Sequence, residues 1–549
     1  MNSENWASPQ LVMQKMRVCI PKKAEDACSL IGLVLLNFIT HYLFISWYTF
    51  VSDDWDEIVY SVFSRYSLPH LLTESQRPLL YALFKAASEV FGRDPLAYQL
   101  LNLATTSLII ILVFLIGRSL LAEVFHEPSV FAFLGAALFC VAFNMDQVYL
   151  WGTMFANNVA YILYLCSFYW YINARGNRSY LPLALFSFLI AVFIYELGIF
   201  LPLVCLLYDL VFERDWKRSL LFIIPAGIYA TLRETHGFGY GWTFVNRDLW
   251  TSSQFLLNAS QMFFRNFIQE LASAGFNVMH GIAGLFSVNP AALAILVVAD
   301  AILVFILLKY LLRFPSFQED RSYNFRNAIR LGLIGVAGFL LSHTVISLSQ
   351  YAGTRHMIFI DFFGILVLIA LLGPVFAKKT ARIPIFCLIL FCILVSQGLS
   401  VNWIIAGDIS TSVDQSITEN AGILSKYHYV LVNGDDLGRA IPGTALKYNF
   451  DNHQIVSYLN SPLITGPVLE AMLGGAGLNT SEIHLIYGTD VDGIPSGAHL
   501  VPGNSSLVYE DAITGATRSV DRNDYFELNS TNLLVHYFQK KQSDPLFSR

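Results

Sequence analysis

Between Ser29 and Ser52 the only side chain, tyrosines apart, that can carry a charge is His41. As a helix this stretch is long enough to cross a hydrocarbon layer of ~30 Å. No water reaches the backbone inside lipid, so such a run must close its own hydrogen bonds and fold as a helix. Comparable runs recur at roughly 97–117, 129–145, 149–172, 180–195, 197–212, 219–233, 288–312, 330–349, 357–377 and 383–404. With 30–51 they predict about eleven transmembrane helices. Charged residues make up 13% of the chain and hydrophobic ones 55%, against about 25% charged in an ordinary globular protein. The mean hydropathy is +0.53. These values define an all-α polytopic membrane protein. A net charge of −6 supplies no basic surface for nucleic acid.

Charge placement orients the helices. Lys15, Arg17, Lys22 and Lys23 precede the first run, and no small-residue cleavage site follows it. This reads as a retained first helix with a cytoplasmic N-terminus. Basic residues collect on the cytoplasmic side, so Arg118 and Arg175 require an even number of crossings between them, with Asp146 at the outer tip of a hairpin. The same reasoning between Arg178 and Arg214 places Glu196 at a turn. Its arms of about 16 residues reach only ~24 Å, which predicts a recess below the outer surface. A third hairpin, from Arg330 to Lys378, carries Arg355 and His356 near its turn. An odd number of spans leaves everything after 404 outside.

The chain divides at that point. Residues 1–404 form the membrane part, with a long outer loop at 52–96 that reads as amphipathic helices and a second at 234–287. Residues 405–549 hold 8 Lys and Arg against 16 Asp and Glu. Runs such as "YHYVLV", "EIHLIYG", "SLVYED" and "NLLVHYFQ" alternate there with Gly, Asn, Asp and Pro turns. They predict an extracytoplasmic α/β domain. "NGDDLG" (433–438) fits no calcium-loop spacing and reads as a solvated turn. The seven cysteines lie in or beside apolar segments, none beyond Cys392, and read as buried, inert thiols.

The outer face thus gathers Asp53, Asp54, Asp56, Glu57, Asp146 and Glu196 against Arg77, Arg233, Arg355 and His356. Carboxylates recessed at a membrane boundary are costly and mark function. Glycosyl transfer at such a boundary needs a carboxylate to take the proton of an acceptor hydroxyl and a cation to hold a phosphate leaving group. Plainer readings stand beside this one. Asp56 and Glu57 suit a helix N-terminus, Asp146 equally a hairpin cap, and Arg355 equally a headgroup anchor. His41 and His343, each alone on an apolar helix, read as packing residues. Aromatic runs such as "YLCSFYWYI" read as lipid-facing and interfacial belts. No ligand-like spacing requires a metal, although acidic clusters can recruit Mg²⁺ or Mn²⁺.

"DDW" (53–55), "QRPLLYALF" (76–84), "YELGIFLP" (195–202) and "GTRHMIF" (353–359) resemble the GT-C superfamily of integral-membrane glycosyltransferases, which use polyprenyl-phosphate-linked sugars. "DDW" followed by "RPL" looks most like the bacterial and phage-type O-antigen glucosyltransferase branch. The resemblance covers roughly residues 30–400. It implies a bacterial inner-membrane enzyme that moves a sugar to a hydroxyl of a glycan, lipid or protein acceptor, with inversion if one displacement occurs. It also implies that Asp53 or Asp54 is the catalytic base, Asp53 by position, and that Arg355 binds the lipid phosphate. His356 stands where many relatives have an aromatic. Two other classes remain open. A secondary transporter of a polar or anionic solute should have repeat symmetry, and no repeat stands out. A non-catalytic assembly protein leaves Glu196 and Arg355 without a purpose.

Overall fold

The structure is a computed structural model that describes residues 22–51, 54–60, 66–75, 77–213, 216–236, 259–260, 290–312, 323–348, 354–376, 378–433, 447–449, 454–456, 462–464, 466–479, 484–488, 499–500, 507–510, 517–528, 530–533, 536 and 539. Its helices, in chain order, are α1 (Lys22–His41), α2 (Leu68–Glu74), α3 (Pro78–Phe91), α4 (Pro95–Leu121), α5 (Pro128–Cys140), α6 (Asp146–Leu150) and α7 (Met154–Asn173). There follow α8 (Tyr180–Ile194), α9 (Leu201–Tyr208), α10 (Ile223–His236), α11 (Pro290–Leu312), α12 (Phe325–Leu348), α13 (Ile358–Phe376), α14 (Lys379–Leu424), α15 (Gly466–Gly475) and α16 (Ser530–Leu533).

Among the described residues six helices are long and apolar enough to cross a membrane, or seven if one bent pair counts as a single span. The chain is a multi-pass membrane protein. The other expected ranges hold interrupted runs, the shorter apolar helices Tyr180–Ile194 and Ser219–Arg233, and the unbroken but less apolar α7. α5 and the segment that carries α6 meet at an angle of 59°. α8 ends before a 3₁₀ turn at Glu196–Gly198, and α9 then begins with Pro202 in its first turn. Both interruptions hold a carboxylate, but Asp146 is not an exposed hairpin tip. It is 5% exposed, because α6 folds back into the bundle and packs against α14 and α7.

α4 lies at the centre and packs against α1, α5 and α7. Pro95 sits in its first turn, where the missing N–H costs nothing, and Asp94 caps it by accepting from Leu96 N at 3.0 Å. The segment after α1, expected as an outer loop, forms α2 and α3, as its amphipathic pattern predicts. α3 buries Leu80, Phe84 and Ala87 against the bundle. Of the second long loop, 234–287, the end of α10 at 234–236 and residues Ala259 and Ser260 are described. Cys28 and Cys387 are exposed, unlike the buried Cys140, Cys205 and Cys392, and all are free thiols. Cys387 lies on an outward face of α14 beside exposed Ile383 and Leu388, where lipid rather than protein is the surrounding medium.

α14 does not end near residue 404 but runs unbroken to Leu424. The fall in hydropathy at 405 does not end the helix. The helix itself persists because Ile409, Val413, Ile417 and Leu424 keep a buried stripe at helical spacing. Beyond it, strand Tyr429–Asn433 lies between His484–Gly488 and Tyr525–Leu528 in a parallel sheet. Two antiparallel three-stranded sheets complete the described strands. The start of "NLLVHYFQ" is not strand but the short helix α16. The Leu533 carbonyl there accepts from Ser412 Oγ and Ser416 Oγ of α14, each at 3.2 Å. α15 packs against α14 and against the loop turn Trp55–Val59. Gly475 lies so close to the Tyr60 ring that a Cβ there would overlap it.

At the far end of α7, buried Asp209 accepts from Tyr171 Oη and pairs with Arg218, whose guanidinium lies 4.3 Å over the Tyr171 ring. The expected topology puts this end in the cytoplasm and the C-terminal sheets outside. Single cysteines at exposed Lys217 and exposed Asn523 should therefore react with an impermeant maleimide from opposite sides of sealed, oriented vesicles. Reaction of both from one side would contradict that topology.

Candidate active site

Asp54 opens the turn that follows the first helix, but it does not cap that turn. Its carboxylate instead reaches across to the start of α7. Oδ1 accepts from Thr153 N at 2.7 Å and Oδ2 from Val51 N at 3.0 Å. Thr153 is the residue before α7, so the negative charge sits at a helix N-terminus, where free amides and the macrodipole favour it. Trp151 Nε1 donates to the Val51 carbonyl at 3.1 Å, a second tie between the same two segments. Gly152 makes the approach possible. A Cβ there would lie 3.0 Å from both carboxylate oxygens. Asp54 is 1% exposed and is held by backbone amides, so it fastens the loop. Its neighbour Asp53 and the side chain of Asp56 lie outside the described residues.

Gly152→Ala should accordingly push the carboxylate off Thr153 and lower stability by about 1.5–3 kcal/mol, the worth of a charge-assisted hydrogen bond. Thermal unfolding of Gly152→Ala, Asp54→Ala and the double variant measures this. Once Asp54 is replaced by alanine, the added effect of Gly152→Ala should nearly vanish. Full additivity would remove the contact as the cause.

The other expected residues converge on the same end of the bundle. Arg355 lies in the 3₁₀ turn Thr354–His356 just before α13. Its N–H donates to Gln147 Oε1 at 3.2 Å, and its carbonyl accepts from Tyr161 Oη at 2.8 Å. The guanidinium stands 5.1 Å from the centre of the Trp151 ring, the indole tied to the Asp54 loop. Asp146, one residue before Gln147, accepts from Trp403 Nε1 of α14 at 2.9 Å. The tip of the third hairpin is thereby seated on α6.

His356 continues the network. Its Nε2 lies 2.8 Å from Tyr195 Oη. Tyr195 precedes Glu196, and Arg77 lies over its ring at 4.6 Å. Arg77 grips Glu196 with a two-pronged pair, Nε to Oε2 at 3.2 Å and Nη2 to Oε1 at 2.9 Å. Burial works to raise the Glu196 pKa, but the Arg77 charge and hydrogen bonds, helped by Arg233, prevail and hold it below the ordinary value. Glu196 is therefore held in its anionic form by Arg77.

Asp54, Asp146, Glu196, Arg77, Arg355 and His356 thus form one connected cluster, and Arg233 acts on it electrostatically. Sequence reading missed the groups that connect them, namely Trp151, Gly152, Thr153, Tyr161, Tyr195 and Trp403. Several of the aromatics face the cluster, not the lipid that a belt would meet. A usable signal was "LWGT" (150–153), a small residue beside Trp directly after the Asp146 turn. Among the described residues no three His, Cys, Asp or Glu side chains are grouped to hold a metal ion.

No family model and no curated protein matches this chain. Two solved structures match over 86% of this chain and 94% of theirs. They are ArnT from Cupriavidus metallidurans bound to undecaprenyl phosphate, at 14% identity and a TM-score of 0.35, and the same protein in the apo state, at 14% and 0.33. Scores this low establish neither fold nor function for this chain.

Proposed function

We propose that this protein is a membrane glycosyltransferase that moves a sugar from a polyprenyl-phosphate donor to a hydroxyl of a glycan, lipid or protein acceptor at the outer face of a bacterial inner membrane. One observation carries the reading. Val51 and Asp54, in the segment that follows the first helix, are tied to Trp151 and Thr153, and the Arg355 guanidinium, about 300 residues away in sequence, stands over the same Trp151 ring. A carboxylate that accepts protons and a guanidinium that holds phosphate belong on opposite sides of the same anomeric carbon.

Asp54 has both oxygens engaged by backbone amides, which leaves Asp53 as the base of the pair. The acceptor oxygen bonds to the anomeric carbon as the bond from that carbon to the phosphate oxygen breaks. The acceptor proton passes to the Asp53 carboxylate, and the departing lipid phosphate takes the electron pair. Arg355 holds the charge that develops on it, with the flat fork that suits two phosphate oxygens. Attack opposite the leaving group inverts the anomeric centre. The chain supplies these groups itself, and the step as written uses no metal.

The broken helices favour a second reading, since carboxylates at helix breaks are also how transporters build ion sites. One experiment separates the two. Purified protein is supplied with several polyprenyl-phosphate sugars and a mixed acceptor extract, and lipid phosphate is followed. A transferase releases lipid phosphate with one of these donors. Solute accumulation in vesicles without bond cleavage would replace the proposal by a transporter.

A further inference from the structure

Tyr60 closes the turn Trp55–Val59 that follows Asp54, and its own N–H donates to the Trp55 carbonyl at 2.8 Å. Three other parts of the chain meet on its side chain. Tyr60 Oη donates to Asp414 Oδ1 of α14. Arg93, in the turn between α3 and α4, holds its guanidinium 5.2 Å from the centre of the ring. Gly475, at the end of α15, lies against the ring where any Cβ would overlap it. Tyrosine suits this place because it offers a flat face to a glycine and a cation, and a hydroxyl to a carboxylate.

These contacts hold more than one side chain. Val468, Leu469, Met472 and Leu473 of α15 are buried in one apolar core with Trp55, Ile58 and Val59 of the turn. Trp55 Nε1 donates to the Phe50 carbonyl at 3.2 Å, and Asp54 accepts from Val51 N and Thr153 N. The turn is thus fastened at its start to the membrane helices. At its end it is fastened to α15 and to the part of α14 beyond 404. Residues 405–549 take no part in the transfer step as written, yet they supply two of the three contacts on Tyr60.

We infer that Tyr60 is a positioning residue, through which the C-terminal part of the chain clamps the turn that follows Asp54. Its importance for catalysis rests on the sugar-transfer reading, whereas the clamp itself does not. A base must come within hydrogen-bond reach of the acceptor hydroxyl, and a misplacement of about 1 Å can cost ~10²-fold in rate. Tyr60 acts indirectly. It limits how far the backbone that carries Asp54, and Asp53 beside it in the chain, can drift from its place.

The test uses the full-length protein in nanodiscs. Deuterium exchange of peptides covering 54–60 reports on the clamp, and lipid-phosphate release gives kcat and the donor KM. In Tyr60→Phe and in Asp414→Ala, exchange in 54–60 should quicken about tenfold, near the lower end for a lost hydrogen bond to a charged group. kcat should fall by a similar factor while the donor KM stays within about twofold, because the groups proposed to bind the donor are untouched. Asp414→Asn keeps an acceptor oxygen for the Tyr60 hydroxyl and should retain most of the rate and the protection. The effects of Tyr60→Phe and Asp414→Ala should not add in the double variant. Gly475→Ala should loosen the same turn by pushing the ring off Asp414. Unchanged exchange in both Tyr60→Phe and Asp414→Ala overturns the clamp. Quicker exchange with unchanged kcat per folded molecule overturns the positioning role. Quicker exchange in a protein whose wild type releases lipid phosphate from no donor upholds the clamp and refutes the sugar-transfer reading alone.

Discussion

Asp53→Asn is expected to lower the transfer rate by ~10²–10⁴-fold, the usual cost of removing a general base, while donor binding and the amount of folded protein stay near wild type. The amide keeps the shape of the carboxylate but cannot take the acceptor proton. Asp54→Asn should behave differently. Its two oxygens face Thr153 N and Val51 N, and an amide must point its own N–H group at one of them. Two donors then oppose each other at the start of α7, so the main effect should be a loss of stability, with activity falling as the loop loosens. Single-turnover rates and unfolding midpoints on both variants separate the roles. Wild-type turnover by Asp53→Asn would remove Asp53 as the base. An abolished rate with unchanged stability in Asp54→Asn would exchange the two assignments.

Arg355 carries the second large effect. A guanidinium can hold two phosphate oxygens in one plane, whereas lysine offers a point charge. If Arg355 binds the donor phosphate, Arg355→Ala should weaken donor use by about 10- to 150-fold, equivalent to roughly 1.5–3 kcal/mol. Arg355→Lys should fall between. The loss should be the same with every acceptor, because the phosphate belongs to the donor. The backbone bonds of Arg355 to Gln147 and Tyr161 survive either substitution, so the turn stays seated and the measurement reports on the side chain. A headgroup anchor predicts the reverse pattern, with lysine tolerated and alanine reducing stability or insertion alone. Equal donor affinity in wild type and Arg355→Ala, at equal amounts of folded protein, would take Arg355 out of the site.

The membrane class and most helix positions were legible along the chain because hydropathy is a local property. A run such as 97–117 must be a helix in lipid whatever its neighbours do, since it has to close its own backbone hydrogen bonds, and it appears within α4. The candidate charges were legible for the same reason, since few side chains in so apolar a protein can carry charge at all. Three matters were decided only by tertiary structure. α14 passes the expected boundary at 404 because helical periodicity outlasts hydropathy, and the partner that covers its buried stripe lies in distant sequence. Asp146 was placed at an outer hairpin tip, and its burial could not be foreseen because the positive-inside rule counts crossings and is blind to a segment that turns back. Trp403, 257 residues away, supplies the indole N–H that makes its burial tolerable. The burial and partners of Asp54 within "DDW" also could not be read by inspection. Adjacent aspartates are chemically alike, and what fixes Asp54 in place is a pair of backbone amides, one of them from Thr153, 99 positions later. Composition and periodicity determine which residues must avoid water. Which buried polar group meets which partner depends on the packing of segments far apart in the chain.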